Sequence, residues 1–253
     1  MRNALARFDQ VSFEDDAARE RARQKLLRAA KKYGIVPIGF FDGQLRKERI
    51  QTERRVRASD VSSLPRGTVT FLLTDIEGPT HLVRHLGDGY AAVLREVRTI
   101  IRGGVQRACG HEVDARGDEF FAVFRRTTHA LDAAIAIQRS LRERQWPSGA
   151  DVCVRIGVHS GRPTLTETGY VGIAVHAAAR VCSAGHGGQI LLSSAAHDAL
   201  DGSRNAAITY RHLGSYSLAG LPEPMSLFQV RTADLRSRFP ALRIAAAENA
   251  LQR

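Results

Sequence analysis

From residue 67 onward the apolar residues of this chain change their period in a fixed order, and that order leaves few folds open. Residues 68–74 are a β-branched and aromatic run, read as a strand that ends in Asp75. Leu82, Val83, Leu86, Tyr90, Val93, Leu94, Val97, Ile100 and Ile101 then recur on one helical face, which closes near Gly103 with Gly87 and Gly89 inside it. Residues 112–116 and 119–124 flank Gly117-Asp118 as a hairpin, and the spacing predicts a second amphipathic helix over 128–144. Val152, Val154, Ile156 and Val158 alternate strictly, so Arg155 points to the face opposite the apolar set. The order is βαββαβ.

This pattern predicts an α+β fold with a ferredoxin-like core. A third helix over 173–183, a strand over 189–193 and late strands ending at 227–230 extend it. Upstream, Ser12 followed by Asp15 reads as a capping box, and Ala18, Ala22, Leu26, Ala29, Ala30 and Tyr33 follow at helical spacing up to Gly34. Residues 58–66 form a polar, proline-ended linker. The chain therefore divides into a basic helical segment with its linker over 1–66, a main domain over 67–232 and a tail over 233–253.

Charge and cysteine usage narrow the function classes. The net charge is +11, but residues 1–66 carry 16 Arg or Lys against 9 Asp or Glu, so the main domain is only mildly basic. The basic stretch 46–57 has no interleaved aromatics and no base-reading motif, which disfavours nucleic-acid binding and favours a solvated or packed helix. Lys25, Lys31, Lys32 and Lys47 are the only lysines, so every later cation is an arginine or a histidine. Cys109, Cys153 and Cys182 fall in no paired spacing, which argues against disulfides or a zinc site and for a reducing compartment, most simply the cytoplasm. No run is apolar enough to span a membrane, and residues 1–10 lack the apolar stretch of a signal peptide.

Two carboxylates carry the chemistry. Asp75 ends a strand, and Ile76-Glu77-Gly78-Pro79-Thr80 leads from it into a helix N-terminus, where backbone N–H groups suit phosphate oxygens and the acid suits the magnesium those oxygens share. The plain alternative is that Asp75 caps the helix and Gly78-Pro79 makes a turn. Asp118 sits at the tip of the hairpin, where a βαββαβ fold brings it toward Asp75; its plain alternative is a turn aspartate. Two metals on shared carboxylates can activate an attacking hydroxyl and neutralise a leaving pyrophosphate.

The motifs FLLTDIEGPT (71–80), VDARGDEFFAVF (113–124) and RIGVHSG (155–161), with the segment 170–193, resemble the class III adenylate and guanylate cyclases over about residues 67–230. Gly117-Asp118-Glu119-Phe120 alone also resembles the diguanylate cyclases, which are related in fold, but the last two motifs do not. The resemblance implies a catalytic domain over 67–232 that binds a nucleoside triphosphate and two Mg2+ or Mn2+ ions per site. It implies a twofold homodimer whose sites are shared between chains. By the same resemblance Asp75 and Asp118 are metal ligands, with the Ile76 carbonyl assisting. Arg155 and the loop residues Glu77, Gly78 and Thr80 hold phosphates, Arg180 stabilises the transition state, and His176 orients the ribose. Ile173, His176 and Arg180 fall on one helical face, which leaves Val175, Ala179 and Cys182 to face the core.

Some positions depart from the family pattern. His176 replaces an asparagine but can still donate one hydrogen bond. Asp114 stands where a base-selecting lysine or glutamate is usual. Ile173, at the second selecting position, cannot hydrogen-bond a base, and Ala219 replaces a triphosphate-binding lysine. The reading is an adenylate cyclase with weak purine selection; its alternative is a degenerate cyclase domain that serves as a nucleotide-binding or dimerisation module.

Overall fold

The computed structural model describes residues 63–167, 169–200 and 207–244. The helix expected over 18–33 and the basic stretch over 46–57 lie outside the described residues. Strand β1 (Val69–Ile76) is followed by helix α1 (Pro79–Leu86), one tight 3-10 turn (Gly87–Gly89) and helix α2 (Tyr90–Arg107). Strands β2 (His111–Arg116) and β3 (Glu119–Phe124), helix α3 (Thr127–Glu143) and strand β4 (Val154–Gly161) complete the first half. Then come the short strands β5 (Thr164–Thr166) and β6 (Gly169–Val171), helix α4 (Ile173–Ala184), strand β7 (Ile190–Ser193), helix α5 (Ser194–Asp198), and strands β8 (Ile208–Tyr216) and β9 (Met225–Thr232).

The main sheet runs β2-β3-β1-β4-β7-β9-β8. Within its first four strands every adjacent pair is antiparallel, which is the ferredoxin-like arrangement the βαββαβ order predicts. β4 and β7 pair in parallel, and β9 and β8 close the far side as an antiparallel pair.

Alternation along the strands sorts the residues between two faces. Leu72, Ile76, Phe120, Phe124, Ile156 and Val158 are buried against Val93, Val97 and Ile101 of α2 and Ile137 of α3. On the other face Phe71 meets Phe121 and Tyr170, each with ring centroids 5.2 Å apart. Helix α4 lies on that second face, and Gly157 is what lets it approach. A Cβ there would sit 2.3 Å from the backbone nitrogen of Cys182.

The single helix expected over 82–101 is in fact two. Gly87 takes φ 53 and ψ −126, a conformation open only to glycine, so the chain turns between α1 and α2. α2 also continues past Gly103 to Arg107, because Gly104 faces Ile137 of α3 so closely that a Cβ would fall 2.5 Å from Ile137 Cγ1. The buried side of α4 is Ala174, Ala177, Ala178, Val181 and Cys182; Ala179, expected in the core, is exposed, and Val175 is half-buried. The β5-β6 hairpin, α5 and β8 were not individually marked by the sequence pattern.

Residues 233–244 pack back onto the domain. Asp234 is paired with Arg139 at 2.6 Å, Ser237 accepts from Gln229 at 2.9 Å, and Leu242 and Ile244 join a cluster formed by Val181, Ala184, Leu191, Leu218 and Leu227. None of the helices among the described residues is long and apolar enough to cross a membrane.

Candidate active site

The β1-β4 ladder places Asp75 opposite Arg155, and Arg155 Nε donates to Asp75 Oδ2 at 2.8 Å while Nη2 bonds the same oxygen. Both side chains are largely buried, at 18% exposure each. Thr74 opposes Phe120 on β3, one residue short of Asp75 and Glu119, and Glu119 opposes Arg116 on β2. The charges of Arg116, Asp75 and Arg155 all act on Glu119. Burial and then the charge of Asp75 push the Glu119 carboxyl up.

Asp118 reaches this group from the hairpin tip. Gly117 supplies the left-handed residue of the turn at φ 51, and its carbonyl accepts from Arg98 Nη2 of α2 at 2.6 Å, which anchors the tip. Burial, and beyond it a hydrogen bond to the nearby Asp75 carboxyl and its charge, push Asp118 up to about 6. The two acids have thus converged. Tyr90, at the start of α2, is close enough that Asp118 and Asp75 add to the effect of burial in raising its hydroxyl.

The loop after β1 departs in part from its expected role. Gly78, not Asp75, stands at the N-cap of α1, in the left-handed conformation and with no side-chain cap, so Asp75 is not a helix cap. Pro79 carries no N–H, the Glu77 amide donates to Cys153 O at 2.8 Å, and the His81 and Leu82 amides return to Gly78 O. Among the described residues that leaves the amides of Gly78 and Thr80 as the loop's donors to a phosphate. The Glu77 carboxylate turns away from the acids: Oε2 accepts from Gly187 N at 3.0 Å and Oε1 pairs with Arg243 Nη2 at 2.6 Å. Glu77 was expected among the phosphate-binding residues, and here both its amide and its side chain are engaged elsewhere.

Ile173, His176 and Arg180 are all exposed on the outer face of α4, Ile173 at 55%. Arg180 Nε donates to Ala219 O at 2.9 Å. Gly172, at φ 120, turns the chain from β6 into α4 and so sets where Ile173 stands. Asp114 is held on β2, where Oδ2 pairs with Arg116 Nε at 2.7 Å and Oδ1 accepts from Ala115 N at 3.0 Å. The β5-β6 hairpin that leads to Ile173 runs beside β2, since a Cβ at Gly169 would lie 3.8 Å from Val113.

Sequence reasoning passed over Glu119 and Tyr90 as site neighbours. Glu119 was legible in principle, because it directly follows the hairpin acid. Tyr90 was not: it reads as one more apolar position of an amphipathic helix.

The donor set is all oxygen, two carboxylates with a strand-end carbonyl beside them, which suits hard divalent cations such as Mg2+ and Mn2+. Among the described residues no group of three or more His, Cys, Asp or Glu side chains is gathered as a closed cage. Two neighbouring carboxylates that do not close a cage around a cation leave coordination positions for substrate oxygens.

Residues 61–232 match the family model described as the adenylate and guanylate cyclase catalytic domain. An uncharacterised protein of Mycobacterium tuberculosis is 36% identical over 211 residues, which span 79% of this chain and 70% of that protein. An adenylate cyclase of Lachancea kluyveri is 33% identical over 155 residues, covering 51% of this chain and 8% of the yeast protein. Among solved structures, an adenylate cyclase from Trypanosoma brucei in its monomeric state matches with a TM-score of 0.66 at 24% identity, over 72% of this chain and 96% of that one.

Proposed function

The chain belongs to the adenylate and guanylate cyclase catalytic-domain family, and from that premise we propose that it converts ATP into 3',5'-cyclic AMP and pyrophosphate in a homodimer with shared active sites. The observation that carries the reading is the convergence of Asp75 and Asp118 beside the N-terminus of α1. These two carboxylates, with the Ile76 carbonyl, would hold two divalent cations. Bound there, the cations supply activation of the ribose 3'-hydroxyl and charge neutralisation at the leaving pyrophosphate.

The protein's own groups do the rest. The Gly78 and Thr80 amides meet phosphate oxygens at the positive end of the helix dipole. Arg155, released from Asp75, contacts the triphosphate with its bidentate fork. As the 3'-hydroxyl gives up its proton to solvent, its oxygen bonds to the α-phosphorus, the bond to the pyrophosphate oxygen breaks, and charge builds on the phosphoryl oxygens. Arg180 of the second chain meets it. His176 donates one hydrogen bond to the ribose, and Asp114 with Ile173 faces the purine.

A second reading, a domain that binds nucleotide or dimerises without turnover, is favoured by the ion pair that already occupies Asp75. One assay separates the two. The purified protein, incubated with Mn2+ and ATP or GTP, forms cyclic product, and Asp118→Asn and Asp75→Asn abolish it while thermal unfolding stays cooperative. Wild-type turnover in Asp118→Asn removes these acids as the metal site, and absence of product in the wild type favours the binding module.

A further inference from the structure

We infer that Arg243, which lies beyond the 61–232 span of the family match, is a positioning residue for the acid-bearing loop. It acts through Glu77, the second residue after Asp75. Its side chain and its backbone are both committed. Nη2 pairs with Glu77 Oε1 at 2.6 Å, and its amide donates to the carbonyl of Ala184, the last residue of α4, at 2.9 Å. One residue of the tail thus ties the loop after β1 to the end of the helix that presents His176 and Arg180.

Glu77 is the point at which this tie acts on the acids. Its amide is fixed on Cys153 O at 2.8 Å and its second carboxylate oxygen on Gly187 N at 3.0 Å. Gly187 is the glycine that permits this, since a Cβ there would lie 2.6 Å from Glu77 Oε2 and 2.5 Å from Cys153 Cβ. With Arg243 on the other oxygen, the carboxylate is held from two sides, and the strand end that carries Asp75 and the Ile76 carbonyl has little freedom to rotate.

An exposed ion pair holds little in general, because two long side chains must be ordered to make it. Arg243 escapes part of that cost. Its neighbours Leu242 and Ile244 pack against the cluster that includes Val181, Ala184 and Leu191, and Ala241 O is bonded to His186 Nε2 at 2.8 Å. The backbone that carries the guanidinium is therefore ordered before the ion pair forms. The 45% exposure of Arg243 and the 30% exposure of Glu77 place the pair at the edge of the domain.

This inference rests on the cyclase reading for the identity of the loop's ligand, not for the tie itself, and the experiment reads the two separately. In the full chain without metal, Arg243→Ala is expected to speed amide exchange at Ile76 and Glu77 by about fivefold, the upper end for an exposed pair. With Mn2+ and a non-cyclisable ATP analogue, the same variant is expected to raise the Mn2+ dissociation constant by a similar factor. The maximal cyclisation rate at saturating Mn2+ should stay within about twofold, and Arg243→Lys should recover part of the loss. Glu77→Gln, which keeps an acceptor for Gly187 N, should reproduce the effect, and the double variant should add nothing to it.

Unchanged exchange in a folded Arg243→Ala protein overturns the inference. So does faster exchange with an unchanged Mn2+ affinity where the wild type binds Mn2+. Faster exchange in a protein whose wild type binds no Mn2+ upholds the positioning role and overturns the cyclase reading instead.

Discussion

Arg155 Nε lies 2.8 Å from Asp75 Oδ2, so the arginine holds the carboxylate that would serve a metal ion. The pair is largely buried, and a carboxylate in that setting requires a positive partner. Under the proposed function, arginine and cation would compete for this one group until the triphosphate offered the arginine another.

That competition predicts opposite signs for binding and rate in one variant. Arg155→Met should bind Mn2+ without nucleotide about tenfold more tightly, because the cation no longer displaces a guanidinium. Its kcat/KM for ATP should fall by about a hundredfold, because the triphosphate loses a donor. Weaker Mn2+ binding in a direct titration would show that Arg155 and the cation do not share Asp75.

The proposed division of the site between two chains makes a second prediction. If Asp75 of one protomer and Arg180 of the other act on the same substrate, then inactive Asp75→Ala and inactive Arg180→Ala proteins should complement each other when mixed. Counting sites in a random twofold mixture gives about a quarter of full activity. Subunit exchange is followed by energy transfer between labelled chains, and no recovery despite complete exchange would place both residues in one chain's site.

How much of this was legible in the sequence differs between elements. The βαββαβ order and the opposite facing of Arg155 followed from strict alternation, since a period of two is hard to mistake over Val152, Val154, Ile156 and Val158. The break at Gly87 was hidden because the apolar face continues on both sides of it, and only the backbone angles separate α1 from α2. Ala179 was misassigned because α4 is rich in alanine, which carries little signal about which side is buried. The tail was illegible for another reason. Its contacts are long-range bonds from Asp234, Ser237, Ala241 and Arg243 and the packing of Leu242 and Ile244, and no local period records them.

Acid sensitivity of the fold should trace to His159. Its ring is buried, Nδ1 lies 2.8 Å from Ser193 Oγ, and burial pushes the imidazole down to about 4. A depressed histidine stays neutral in the folded state while the unfolded chain takes up a proton below about pH 6.5, so this contribution is full above that pH and is lost as pH falls toward 4. The loss can reach about 3 kcal/mol for a shift of this size. Urea unfolding of wild type and His159→Gln between pH 4.5 and 7.5 measures it. The variant should be the less pH-dependent of the two, and parallel profiles would assign the acid sensitivity to other groups.

Base selection, if Asp114 and Ile173 face the purine as proposed, follows from what these two side chains can offer. Strong discrimination comes from buried groups that the wrong base leaves unpaired, worth about 10⁴ to 10⁵ where a site is built for hydrogen bonding. Ile173 has no such group and stands exposed at the start of α4. Asp114 accepts only, from the adenine amino group or from guanine N1–H and N2, and it is already held by Arg116 at 2.7 Å, so it favours neither base decisively. The ATP to GTP ratio of kcat/KM should therefore be modest, and a preference above about a thousandfold for either would mean that other residues read the base. Asp114→Lys supplies a donor for adenine N1, which no lysine after Lys47 can provide in the native chain. It should raise the ATP to GTP ratio, even though the new lysine also loses the Arg116 pair and leaves that arginine as a like charge beside it. Arg116→Ala in the same background removes that repulsion and should raise the ratio further. If neither variant moves the ratio, Asp114 does not face the purine.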